Sequence, residues 1–266
     1  MRIVRAVCVL LLLSGLIWFQ FFQPLSAGAI VQRAEDGFDQ RPARRVLILG
    51  NSRTYANGMP AMLRAMADSA QDQQKYQITT DAYGGASFES LWQDGITQQL
   101  LGQTWDDAIL QSESRAQSTP ENQRGFRIYG VKLARAIHLT SGSPRLVVNW
   151  AYSSSMFDGG DPDGSQRAQF VQDIQSDTSQ LGNLAHARLV DVGRVWDAVV
   201  QAHSDITLTE DGNHPTVAGS YLFALVLYTE LSRRDANSIT YVPSELDSAT
   251  ASTLRQAVHD FRASRG

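Results

Sequence analysis

The stretch Arg45-Val46-Leu47-Ile48-Leu49-Gly50-Asn51-Ser52-Arg53 decides the fold. Four aliphatic residues in a row, with no polar alternation, suit a strand buried on both faces. Gly50 gives the chain freedom to turn at the end of that strand, and Ser52 then stands on the turn. A serine so placed is either the N-cap of a following helix or an exposed nucleophile.

Outward from this strand, apolar runs and helical patterns alternate. Residues 76–82, 107–111, 145–150 and 187–192 read as further strands. Residues 59–70, 87–101, 126–139, 165–181, 195–202, 215–233 and 244–263 read as helices. Met62, Leu63 and Met66 share one face of the first, and Phe88, Leu91, Trp92 and Ile96 recur at helical spacing in the second. The polar stretch 112–124, with Pro120, reads as a loop or lid, and 151–164 as a long Ser-, Gly- and Asp-rich loop. Such alternation predicts an α/β protein: a three-layer α/β/α sandwich on a mostly parallel, five-stranded, flavodoxin-like sheet. Ligands of such sheets bind beyond the carboxyl ends of the strands. Ser52, Gly85, Gln111 and the loop after Trp150 all follow strand ends.

A second stretch, Asp211-Gly212-Asn213-His214-Pro215, precedes the apolar run to Leu231. Pro215 suits a first helical position. Across a bent turn the Asp211 carboxylate can reach the His214 imidazole and fix its tautomer, leaving the other ring nitrogen for Ser52. The other reading makes Asp211 a turn residue and His214 a cap. Together with Ser52, the pair supplies a nucleophile, a general base and an orienting acid, the set that serine acyl transfer needs. His138, His186, His203 and His259 show no carboxylate paired with them in a turn and read as surface or core residues.

The two stretches, in this order, resemble the SGNH branch of the GDSL esterase/lipase superfamily. That family carries its serine in a Gly-Asp-Ser or Gly-Asn-Ser turn after the first strand and an Asp-x-x-His-Pro segment near its C-terminus. The resemblance spans residues 44–232. It implies Ser52, Asp211 and His214 as the catalytic residues and an oxyanion hole that includes the Ser52 N–H. A glycine after the second strand supplies another donor in the family; in Tyr83-Gly84-Gly85-Ala86-Ser87 that is Gly85. The third donor is usually an asparagine in a Gly-x-Asn-Asp setting. This chain has Ile109-Leu110-Gln111-Ser112 instead, so the amide of Gln111 takes that place. Asn51 stands where the commoner motif has aspartate and serves the turn. Arg53 reads as a solvated arginine, with contact to an anionic or sugar group as the other reading. Trp150 and Tyr152 are substrate-binding candidates that would stack on a sugar face, with buried packing as the rival reading for Trp150.

Asp158, Asp161 and Asp163 lack the spacing and closing glutamate of a calcium loop. No Cys/His set suggests zinc, so no metal or cofactor is expected. The net charge of −4 offers no basic footprint for nucleic acid. Residues 1–5 are basic, residues 6–22 form a 17-residue apolar run, and Ala27-Gly28-Ala29 offers a cleavage site. Residues 1–29 therefore read as a signal peptide or, alternatively, as a membrane anchor through residues 6–22, with residues 30–266 as a single domain outside the cytoplasm, secreted or periplasmic. Cys8, the only cysteine, lies in the apolar run and leaves the body without thiol chemistry. The expected protein is an exported serine esterase acting on a small ester or acylated carbohydrate, such as the O-acetyl groups of a polysaccharide. An O-acyltransferase, a lipase or thioesterase with the same residues, and a non-catalytic carbohydrate-binding module are the alternatives.

Overall fold

The structure, a computed structural model, describes residues 39–265. The leader or anchor reading of residues 1–29, and Cys8 with it, lies outside them. Five strands form one all-parallel sheet in the order β2-β1-β3-β4-β5. They are β1 (Ala43–Gly50), β2 (Lys75–Ala82), β3 (Asp107–Leu110), β4 (Ser143–Val147) and β5 (Arg188–Val190). In β1, Val46 and Ile48 face one way and Leu47 and Leu49 the other, as the two-residue period of a strand requires.

Each face carries its own helical layer. Val46 and Ile48 pack with α2 (Met59–Ser69), α7 (Val192–Ala202), α8 (Val217–Ser232) and α9 (Ser248–Ala263). Leu47 and Leu49 pack with α3 (Phe88–Gln93), α4 (Gly95–Leu101), α5 (Pro120–Leu139) and α6 (Ser165–Ala185). α8 is buried on nearly every side because α2, α7 and α9 all lie against it. The α/β/α sandwich that the sequence predicts is the observed architecture.

Several boundaries differ from those expected, for local reasons. The single helix expected over 87–101 is two, because Asp94 leaves the helical region and its carboxylate caps Thr97. α5 starts six residues earlier than its apolar face, at Pro120, with Thr119 as N-cap and Glu121 in the first turn. Pro215 is not the first residue of α8; Thr216 caps that helix, and Pro215 forms an antiparallel bridge with Thr209. The acidic loop is a cap as well. Both carboxylate oxygens of Asp161 accept backbone N–H groups, from Gln166 and Arg167, and Asp163 accepts from Ser165.

At the amino-terminal ends of the strands one buried carboxylate serves two arginines. Asp107 Oδ2 accepts from Arg44 Nε at 2.9 Å and Nη2 at 2.7 Å, while Oδ1 accepts from Arg145 Nε at 2.7 Å. Removing one member of a buried ion pair leaves the remaining charge uncompensated, at about 3–5 kcal/mol. Asp107→Ala is therefore expected to lower unfolding free energy by about that amount, read by urea denaturation followed by circular dichroism.

Candidate active site

The site is assembled from the carboxyl end of the sheet upward. Asn51 caps the short helix α1 (Ser52–Tyr55): its side-chain Oδ1 accepts the N–H of Arg53 at 3.2 Å. Its Nδ2 donates to the carbonyls of Ala86 and Ser112, each at 3.1 Å, so one side chain ties together the chain after β1, β2 and β3. Gly50 is required by crowding rather than by turn freedom. A Cβ there would lie 2.2 Å from Thr54 Oγ1 and 3.0 Å from Gln111 Oε1.

Gln111 is fully buried beneath this turn. Its Oε1 accepts from Asn51 N at 3.2 Å and from Thr54 Oγ1 at 2.9 Å. Its Nε2 donates to Asn149 Oδ1 at 3.1 Å and to the Ser112 carbonyl. A backbone N–H can only donate, so the amide oxygen must face Asn51, and both amide hydrogens are then committed on the other side. Gln111 is thus a support under the nucleophile turn and not the third oxyanion donor expected of it. Asn149, which sequence reasoning missed, completes the support by donating to the Ser112 carbonyl and hydroxyl, both at 3.0 Å.

Two backbone donors remain above this support. Ser52 is the first residue of α1, and a first-turn N–H has no intrahelical acceptor. Gly85 has φ +71°, a conformation that favours glycine. Its turn is closed by the Ala86 N–H on the Tyr83 carbonyl, 3.1 Å, and held to Asn51 through Ala86. Neither the Ser52 nor the Gly85 N–H meets an acceptor among the described residues.

The loop ahead of α8 brings in the acid and base. Ser52 Oγ lies 3.0 Å from His214 Nε2, and His214 Nδ1 lies 2.7 Å from Asp211 Oδ2. The other Asp211 oxygen accepts the N–H groups of Asn213, 2.9 Å, and His214, 2.7 Å. These bonds, the one from the imidazole foremost, hold the Asp211 carboxyl well below the usual carboxylate range. An ionised carboxylate only accepts, so the proton sits on Nδ1 and Nε2 is left to accept from the Ser52 hydroxyl. Gly212, at φ +82°, lets the loop bend back; its carbonyl accepts the Ser153 N–H at 2.9 Å. His259 also meets a carboxylate, that of Asp235 at 2.7 Å, 24 residues away in sequence. No hydroxyl bonds to its other nitrogen among the described residues, where no three His, Cys, Asp or Glu side chains gather as a metal site either.

Arg53 is buried, not solvated. Nε and Nη2 grip Asn213 Oδ1 at 3.0 and 2.7 Å, and Nη1 donates to the Trp150 carbonyl at 2.8 Å. The guanidinium lies over the Trp150 and Tyr152 rings, 4.5 and 5.4 Å from their centroids. Burial pushes its pKa down to about 10, which still leaves it charged at neutral pH. Arg53 thus fastens the helix that carries Ser52 to the loop that carries His214. Trp150 is fully buried and stacks on Trp196 with centroids 4.2 Å apart, so it is a core residue and not a sugar platform. Tyr152 is only partly buried. Its hydroxyl donates to Ser114 Oγ at 2.7 Å, and Phe170 lies parallel to it, so it forms part of a cleft wall.

Comparison with solved structures shows what this arrangement is similar to. A putative SGNH hydrolase from Slackia heliotrinireducens superposes with a TM-score of 0.60 at 27% identity, covering 71% of this chain and 99% of its own. The fold is that of the SGNH/GDSL superfamily of ester hydrolases. Two matches at lower identity show the fold alone. A DUF4886 family protein from Bacteroides uniformis has a TM-score of 0.64 at 17% identity, over 83% and 95% of the two chains. An acetyl-xylooligosaccharide esterase from Geobacillus has a TM-score of 0.57 at 13%, over 75% and 97%. No protein-family model and no curated protein matches the sequence.

Relative to the SGNH pattern, the departure at Gln111 is resolved by its neighbours: the amide has become part of the floor. Asn149 could have been flagged, as Gln111 was, as a polar residue ending an apolar strand run, whereas nothing near Arg53 signals its distant partner. Gln111→Leu strips the Asn51 N–H and the Thr54 hydroxyl of their acceptor. A buried group left unsatisfied costs about 1–3 kcal/mol. The variant should lose about that much stability in thermal or urea unfolding and lose activity with it; unchanged stability with lost activity would return Gln111 to the oxyanion hole.

Proposed function

We propose that this chain is an exported serine esterase that releases small acyl groups from acylated carbohydrate through an acyl-serine intermediate. The observation that carries the reading is the continuous chain Ser52 Oγ, His214 Nε2, His214 Nδ1, Asp211 Oδ2, with links of 3.0 and 2.7 Å. His214 takes the Ser52 proton as the oxygen attacks the ester carbonyl. The N–H groups of Ser52 and Gly85 receive the negative charge that develops. Collapse expels the alcohol, to which His214 returns the proton. Water, activated by the same imidazole, then hydrolyses the acyl-serine. The N-terminal leader pattern supports export, and the names of the acetyl xylan and acetyl-xylooligosaccharide esterases among the structural neighbours support an acylated sugar.

Ser52→Ala and His214→Ala should each reduce ester hydrolysis about a thousandfold or more without loss of fold. Asp211→Asn should cost less. The Asp211 and His214 side chains are 55% and 40% exposed, so water can partly replace the lost orientation. Labelling by a fluorophosphonate probe, lost in Ser52→Ala, checks the nucleophile directly. A Ser52→Ala protein that keeps most of its esterase activity would overturn the reading.

Activity should also withstand EDTA and thiol reagents, since the chemistry runs through hydroxyl, imidazole and carboxylate alone. Loss on chelation that added metal restores would contradict this. Fusion of residues 1–29 to a reporter active only outside the cytoplasm should give an active reporter.

A further inference from the structure

Next to the loop that carries His214 lies a cleft of ≈ 960 Å³. It is bounded by the segment after β3, the start of α5, the loop after Trp150 and the start of α6. Asn213, the residue before His214, forms one edge, and the hydrogen-bonded pair Tyr152 and Ser114 lies in its wall. Three rings and Met156 supply its apolar surface. Tyr152 and Phe170 are parallel at 5.7 Å, and Phe157 stands nearly perpendicular to both. Much of the remaining lining is neutral and polar, with amides from Gln117, Asn122, Gln166 and Gln169. Its charges are Arg115 against Asp158 and Asp173, which does not favour an anion.

One of these amides stands apart. Gln117 is only 7% exposed, yet its side chain has no hydrogen bond to any described residue. Its amide atoms are not sealed in the interior, so they reach open space, and the open space beside them is the cleft.

Chemistry fixes which half of an ester belongs there. Collapse of the tetrahedral intermediate breaks the bond from carbonyl carbon to alcohol oxygen, and the proton on His214 Nε2 goes to that oxygen. The alcohol half must therefore leave on the His214 side, where Asn213 borders the cleft.

We infer that this cleft is the subsite for the alcohol half of the ester, that the alcohol is a neutral glycan, and that Gln117 hydrogen-bonds its hydroxyls. The inference rests on the esterase reading above. A sugar ring matches the lining because it presents apolar C–H faces to aromatic rings and hydroxyls to amides. A lipid alcohol would leave the Gln117 amide unpaired, whereas Asn122, Gln166 and Gln169 already donate to neighbouring oxygens.

The test compares p-nitrophenyl acetate with O-acetylated xylo- and gluco-oligosaccharides. Gln117→Leu keeps the volume and removes the amide. It should raise KM for the oligosaccharides about three- to tenfold, the range of one neutral hydrogen bond. Their kcat should be nearly unchanged, as should kcat/KM for p-nitrophenyl acetate. Gln166→Ala, at the exposed side of the cleft, should repeat the pattern and serves if Gln117→Leu does not fold. Equal losses on aryl and sugar esters, or none on either, would overturn the subsite. So would a wild-type protein that cleaves the aryl ester but no sugar ester, which leaves the esterase reading standing. A wild-type protein that cleaves neither and takes no fluorophosphonate at Ser52 would instead remove that reading, and the subsite with it.

Discussion

The buried amide of Gln111 is the constraint on which the site depends. It lies where β1 and β3 end side by side and holds the Asn51 N–H and the Thr54 hydroxyl on one oxygen. Its other end reaches Asn149, so three strand ends share one hydrogen-bonded layer. In a dry interior such a layer favours a single arrangement, because each alternative leaves a polar group without a partner. The nucleophile turn above it is thereby given one position. The space beneath is so full that a Cβ at residue 50 would force the Thr54 side chain to move.

The acid and base are positioned by a different kind of tie. Their loop is more exposed and is fastened by discrete contacts: Arg53 on Asn213, Ser153 on Gly212, and Thr209 bridged to Pro215. Arg53 makes its bonds to neutral oxygens. A charge-assisted hydrogen bond is stronger than a neutral one, so one side chain suffices to hold a loop 160 residues away in sequence. The cation also lies on two aromatic faces, which offset part of its lost hydration. The serine and the histidine are thus brought into register by the residue that follows the serine.

The strands, the sheet type and the Ser52, Asp211 and His214 positions were legible in the sequence because each rests on a local pattern. An unbroken aliphatic run, a turn and an Asp-x-x-His spacing carry their own physical meaning within a few residues. What failed depended on distant partners. Gln111 sits at the strand end where a donor belongs, but its direction is set by Asn51 and Asn149, 60 and 38 residues away. Trp150 looked available because nothing adjacent shows Trp196 stacked on it. Arg53 looked solvated for the same reason. The early start of α5 is a different miss, since Thr119, Pro120 and Glu121 form a start signal that the lack of apolar residues obscured.

The same three strands carry the Asp107 ion cluster at one end and the Gln111 layer at the other. From Asp107 to Gln111 is four residues, roughly 13 Å of extended chain. Substitutions separated by more than about 10 Å with no shared partner tend to act additively. The lower edge of the sheet can therefore absorb or donate robustness while the upper edge keeps its geometry. For protein engineering this makes the Arg44, Asp107 and Arg145 end a place to tune heat resistance apart from the geometry of the site.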